Sequence, residues 1–174
     1  MTWDPIVWEQ RYGLLFRCWL SRAYHQKRER FYDQCDNLAK AVSVVGGSAT
    51  VAQLLNHDAM VVTAALITVT ATGSLLFGFA RKARLHADLA RSFAMLEARI
   101  VGSGVFDAAQ MDALQAELVA MEVSEPRALG ALLRICHNEI VCAEGHRELV
   151  QRVGPWQRAL AHFYDFDLYS RQPS

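Results

Sequence analysis

The chain has 174 residues with 18 basic and 18 acidic side chains, so no bulk charge points to nucleic acid. Its length suits one domain, or a membrane hairpin with a small helical body, and excludes two large catalytic domains. Cys18, Cys35, Cys136 and Cys142 lie apart without a CxxC pair, and the first residues are aromatic and charged, unlike a cleavable leader. This usage suggests reduced, buried thiols on the cytoplasmic side, with disulfide pairing as the alternative.

Residues 1–40 read as an amphipathic helix. Eight of the 17 aromatics fall in the first 32 positions, and Trp8, Tyr12, Leu15, Phe16, Trp19 and Ala23 share one stripe at helical spacing. Arg11, Arg17, Arg22 and Arg28 lie mostly off it. Such a helix either rests among lipid headgroups, where aromatic rings and arginine are both favoured, or packs on other helices.

From Ala41 to Ala80 the sequence holds 40 residues with Asp58 as the single formal charge. Ala59 to Ala80 forms a 22-residue charge-free run. At a rise of ~1.5 Å per residue it spans ~33 Å, about the thickness of a bilayer's hydrocarbon. The preceding run from Ala41 to Leu55 is softer, interrupted by Gly46, Gly47 and Ser48. The polar turn Asn56-His57-Asp58 then makes the two runs an antiparallel hairpin. Helices in lipid associate through close packing, so small residues are expected at the contact, Gly46, Gly47 and Ser48 on one helix and Thr70, Ser74 and Gly78 on the other, the latter stripe faced by Gly46 with Thr50 or by Ser48 with Ala52.

Arg22, Lys27, Arg28, Arg30 and Lys40 precede the hairpin and Arg81, Lys82 and Arg84 follow it, whereas the turn has no Lys or Arg. Positive flanks stay inside, so both termini are expected in the cytoplasm of a bacterial cell, with the hairpin in the inner membrane. A second reading buries 41–80 as a helical hairpin inside a soluble oligomer, in keeping with a mean hydropathy of only +0.08.

Residues 81–174 read as a cytoplasmic helical body. Leu85, Leu89, Phe93, Leu96 and Ile100 extend the second hairpin helix unbroken to Gly102-Ser103-Gly104. Asp107 and Gln110 form a capping box ahead of Met111, Leu114, Leu118 and Met121. Ser124-Glu125-Pro126 is expected to start the next helix, which carries Leu129, Leu132, Leu133, Cys136, Ile140 and Ala143 inward as far as Gly154-Pro155. A short helix bearing Trp156, Leu160, Phe163 and Tyr164 follows, and the tail after Tyr169 is expected to fray. No segment alternates with period two, so the expected class is all-α: an amphipathic N-terminal helix, a transmembrane hairpin and a helical C-terminal body.

The densest chemical candidate is Cys136-His137-Asn138-Glu139 with Cys142 and His146. Cys142 and His146 at i, i+4 suit a borderline-soft metal, but further ligands must come from another helix, such as His86 or His162. The alternative puts the cysteines in the core and leaves His137, Asn138 and Glu139 as polar contacts between helices or subunits. Adjacent Cys and His diverge by about 100° on a helix, which opposes a nucleophilic pair. P-loop, GxGxxG, HExxH and GxSxG patterns are missing. No catalytic residue, metal or cofactor is expected, and the chain reads as a non-enzyme.

The run Arg22-Ala23-Tyr24-His25-Gln26-Lys27-Arg28-Glu29-Arg30-Phe31-Tyr32 leads into a hydrophobic hairpin with Gly-Gly-Ser-Ala and out through Arg81 to a long amphipathic helix. This arrangement, over roughly residues 20–101, resembles the SLATT family of two-transmembrane domains associated with bacterial nucleotide-signalling and conflict systems. Tyr24, His25, Arg28 and Phe31 carry its sharpest part. The segment Leu133 to Glu139 also looks like the C-terminal part of relatives in prophage-like settings. The resemblance implies a homo-oligomeric, pore-forming or membrane-perturbing effector triggered by a sensor or signalling partner. No fused sensor domain accompanies the hairpin in this sequence. The alternative is a scaffold, membrane-anchored or soluble, that recruits a partner.

Overall fold

The computed structural model of the chain describes residues 5–48, 57–104 and 107–166. They form α1 (Pro5–Gly46), α2 (His57–Phe77), α3 (Phe79–Gly102), α4 (Ala108–Val123), α5 (Gly130–Ala143), a 3-10 turn at Arg147–Leu149 and α6 (Pro155–Ala159). No strand occurs among the described residues, so the protein is all-α. The chain divides into two compact units: one comprises Met1–Lys27 with Ala87–Ser174, the other Arg28–His86.

The first unit has two apolar centres. In one, Leu14 and Cys18 of α1 meet Phe93, Leu96 and Ile100 of α3 and Met111 and Leu118 of α4. In the other, Tyr24 of α1 meets Ala131, Leu132 and Cys136 of α5 and Ala161 beyond α6. The stripes expected along α3 and α4 are these buried faces, apart from Leu85, which is exposed. The Asp107 capping box also forms, with the Gln110 N–H donating to Asp107 Oδ1 at 2.7 Å. Arg11 donates to the carbonyls of Ile100 (2.9 Å) and Gly104 (2.7 Å), supplying partners to the otherwise unmatched end of α3.

On α1 the inward face differs from the expected aromatic stripe. Trp8 is 52% exposed and Tyr12 37%, while Leu14, Cys18, His25, Arg28, Tyr32 and Ala39 are buried. Those positions follow a coiled-coil-like spacing of alternating threes and fours, with Ser21 and Cys35 filling the gaps. A seam built of Cys, Ser, His and Arg is invisible to a search for apolar periodicity. The rings instead flank it: Tyr12 lies 6.3 Å from Phe16 and edge-on to Trp19 at 6.2 Å, and the Trp19 indole N–H donates to Glu97 at 2.9 Å.

Three boundaries also move. The expected α2–α3 continuity is interrupted at Gly78, whose φ of +58° bends the chain. The hydrogen-bond ladder nevertheless persists, from Gly78 N–H to Ser74 O and from Lys82 N–H to Gly78 O, both 3.0 Å. Ser124 ends α4, its N–H bonding Met121 O, and does not begin α5. The start of α5 is fixed by tertiary partners: the Leu129 N–H donates to the Tyr24 hydroxyl at 3.0 Å and the Gly130 N–H to Asp165 at 3.2 Å. Helix α5 stops at Ala143, short of Gly154, where Gly145 turns the chain at φ +87° and the His146 N–H returns to Val141 O at 2.8 Å; Asn138 then exchanges two bonds with the Gln151 backbone (2.7 and 2.8 Å) that hold the segment folded back.

The second unit contains the later part of α1, α2 and the first turns of α3. Helix α1 runs without interruption from the expected N-terminal helix into the first hairpin segment. The remainder of that segment, residues 49–55, and Asn56 of the turn lie outside the described residues, as does the tail beyond residue 166.

Candidate functional site

In the second unit α1 and α2 approach closely where α1 ends. A methyl group built on Gly46 would sit 2.7 Å from Ile67 Cδ1 and 3.4 Å from Thr63 Cγ2, so hydrogen is the substituent that fits without rearrangement. On α2 the half-buried residues Ala59, Thr63, Ile67, Thr70 and Ser74 recur at helical spacing on one face. The sequence expectation named Thr70 and Ser74 of this face, and missed Thr63 and Ile67, the two side chains nearest Gly46. Gly78 lies at the bend. Gly47 closes α1 through its N–H to Ser43 O at 3.0 Å, and the Ser48 N–H bonds Val45 O at 3.3 Å.

The rest of α2 is apolar and open. Val61, Val62, Leu66, Val69, Leu76 and Phe77 are between 54% and 80% exposed. Its hydroxyls are satisfied locally: Thr63, Thr68 and Thr70 donate to carbonyls of Ala59, Ala64 and Leu66 at 2.7–2.9 Å. Such back-bonding removes the cost of placing a hydroxyl in an apolar medium. Counted across the Gly78 bend, the helical run Asp58–Gly102 is long and apolar enough to cross a membrane, with a mean hydropathy of 1.9 in its most apolar window and none of that window buried. It is one such run among the described residues.

The residues of the Tyr24-His25-Arg28-Phe31 motif separate into the two units. In the first, the Tyr24 ring is edge-on to His25 at 5.4 Å. His25 is fully buried, stacks on Phe93 at 5.9 Å, and brings Nε2 to 3.4 Å from Glu125 Oε1. In the second, the Arg28 guanidinium lies 4.5 Å from the Tyr32 ring centre and 5.7 Å from that of Phe31, and donates to the Tyr32 hydroxyl. Tyr32 stacks on His86 at 5.6 Å and Phe79 at 6.4 Å, and Lys82 Nζ lies 5.6 Å from its ring centre. Tyr32, Phe79, Lys82 and His86 were not singled out as partners in the sequence, because α1 and α3 meet only through the fold.

The Cys136–Glu139 segment is used for packing within the first unit. His137 meets the Phe16 ring edge-on at 5.6 Å, Asn138 holds Gln151, and Glu139 pairs with Lys27 at 2.9 Å. Burial pushes the Cys136 thiol up to about 12, with Lys27 opposing and Glu139 adding to the shift, so the sulfur stays protonated at neutral pH. Cys18 is raised to about 11, chiefly by burial and then by Glu97. Cys142 is exposed. Among the described residues no three His, Cys, Asp or Glu side chains group to hold a metal ion.

The cations are paired unevenly. In the first unit Arg17 meets Glu122, Arg22 meets Glu97 at 2.6 Å, Lys27 meets Glu139, and Arg99 meets Glu117. In the second, Lys40 meets Asp36 at 2.6 Å. Arg81, Lys82 and Arg84 have no carboxylate within ion-pair distance among the described residues.

No family model, curated protein or solved structure matches the chain.

Proposed function

We propose that this chain is a non-catalytic bacterial inner-membrane protein, inserted through a helical hairpin over 41–80, that assembles with copies of itself and acts as a pore-forming or membrane-perturbing effector in defence or phage-host conflict. The observation that carries the membrane part is α2: beyond Asp58 in its first turn it is a charge-free helix whose large apolar side chains are open on every side but the one toward α1, with the hydroxyls of Thr63, Thr68 and Thr70 already bonded. Leaving that much Val, Leu and Phe in water opposes the hydrophobic effect, and hydrocarbon removes the penalty. The close approach at Gly46 supports a paired hairpin, and the cations on both sides of it support cytoplasmic termini. The effector role and its dependence on a sensor or signalling partner rest on the SLATT resemblance of residues 20–101. The non-catalytic assignment rests on the protonated thiols and on the packing roles of His137, Asn138 and Glu139.

Fractionation tests the membrane part. The protein is expected to remain in carbonate-washed membranes, to leave only in detergent, and to size as an oligomer. Recovery in the soluble fraction would sink this reading. It would favour the second one, a soluble helical oligomer or scaffold burying the same face between copies, to which a single membrane-length run is equally suited.

A further inference from the structure

We propose, resting on the membrane reading above, that the bend between α2 and α3 forms a binding site for the phosphate headgroups of anionic phospholipids, with Arg81, Lys82 and Arg84 as its cations. Three observations meet there. First, these cations lack carboxylate partners among the described residues; Arg30, Arg147, Arg152 and Arg158 lack them too, but Arg81, Lys82 and Arg84 stand together within four residues of each other, while Arg17, Arg22, Lys27 and Arg99 are paired. Their charge is thus available to an outside anion. Second, they follow directly on the exposed apolar end of α2, where Leu76 is 80% and Phe77 59% exposed and Phe77 stacks on Phe79 at 5.7 Å. Apolar side chains, then aromatic rings, then cations is the order in which a bilayer presents acyl chains, interface and phosphate.

Third, Lys82 is held in place. Its ammonium lies over the Tyr32 ring, which is itself fixed by stacking on Phe79 and His86 and by the hydrogen bond from Arg28. A cation held over a π face keeps its charge and loses little freedom on binding, so it takes a phosphodiester at reduced entropic cost. Arg81 and Arg84 add planar donors suited to phosphate oxygens.

The full chain, extracted from washed membranes into mild detergent, is titrated with phosphatidylglycerol or phosphatidylcholine, and bound lipid is counted by native mass spectrometry. Phosphatidylglycerol is expected to bind at least about fivefold more tightly, the effect of even a single cation at an anionic surface. R81Q/K82Q/R84Q is expected to abolish the difference, K82R to retain it, and R91Q, whose cation meets Asp88 at 3.7 Å, to leave it unchanged. R81Q/R84Q leaves the Lys82–Tyr32 contact intact and is expected to lower the preference toward that of one cation, a partial loss that tests the site if the triple variant fails to fold. Equal binding of the two lipids, or a preference unaltered by R81Q/R84Q, would overturn the site while the protein remains in the membrane. Failure of the membrane reading shows separately, as loss of the protein into the carbonate wash.

Discussion

A thiol that stays protonated to high pH behaves as a small apolar side chain, and Cys18 and Cys136 do so at the two apolar centres of the first unit. Burial holds both above the ordinary value of 9.0, at about 11 and about 12. In the unfolded chain these thiols ionise at lower pH than in the folded one. Their contribution is therefore full below pH 9 and is lost as pH rises from 9 toward 11 and 12. Denaturant titrations at pH 8 and above pH 10 are expected to show a loss on the order of a few kcal/mol that C18A/C136A largely removes. At neutral pH a maleimide is expected to modify exposed Cys142 quickly and to spare both buried thiols; equal rates at Cys136 and Cys142 would refute this assignment.

Among the elements, the α1–α2 contact carries the sharpest expectation. Gly46→Leu forces a branched side chain against Ile67 and Thr63 and is expected to cost about 1–3 kcal/mol, read as a lower melting temperature in detergent. Adding Ile67→Ala is expected to restore part of the loss, which a general loss of helix would not allow. The sequence made some elements readable and hid others for physical reasons. The faces of α3 and α4 were legible because Phe93, Leu96, Ile100 and Leu118 bury apolar bulk at helical spacing. The seam of α1 was not, because Cys18, His25 and Arg28 are buried through partners distant in sequence, such as Phe93. Gly46 was legible as a small residue in an apolar run, but its neighbours Ile67 and Thr63 required the helix register. The start of α5 was hidden for the same reason, being set by Tyr24 and Asp165, whereas its end is a local glycine cap at Gly145.

For the whole molecule, topology is the quantity to measure. In a Cys142→Ser background, Asp58→Cys is expected to react with a membrane-impermeant thiol reagent added to intact cells, whereas native Cys142 is expected to react only after lysis. The reverse pattern would invert the proposed orientation, and reaction of both in intact cells would contradict a hairpin with its body in the cytoplasm. Gly78 has a stereochemical consequence of its own. At φ +58° the backbone crosses into the half of conformational space that is natural to D-residues, while the hydrogen bonds on either side keep a right-handed helix. Because glycine is achiral, this single residue accommodates a reversal of local handedness inside the charge-free run, a geometry that mirror-image alanine would tolerate and ordinary alanine would resist.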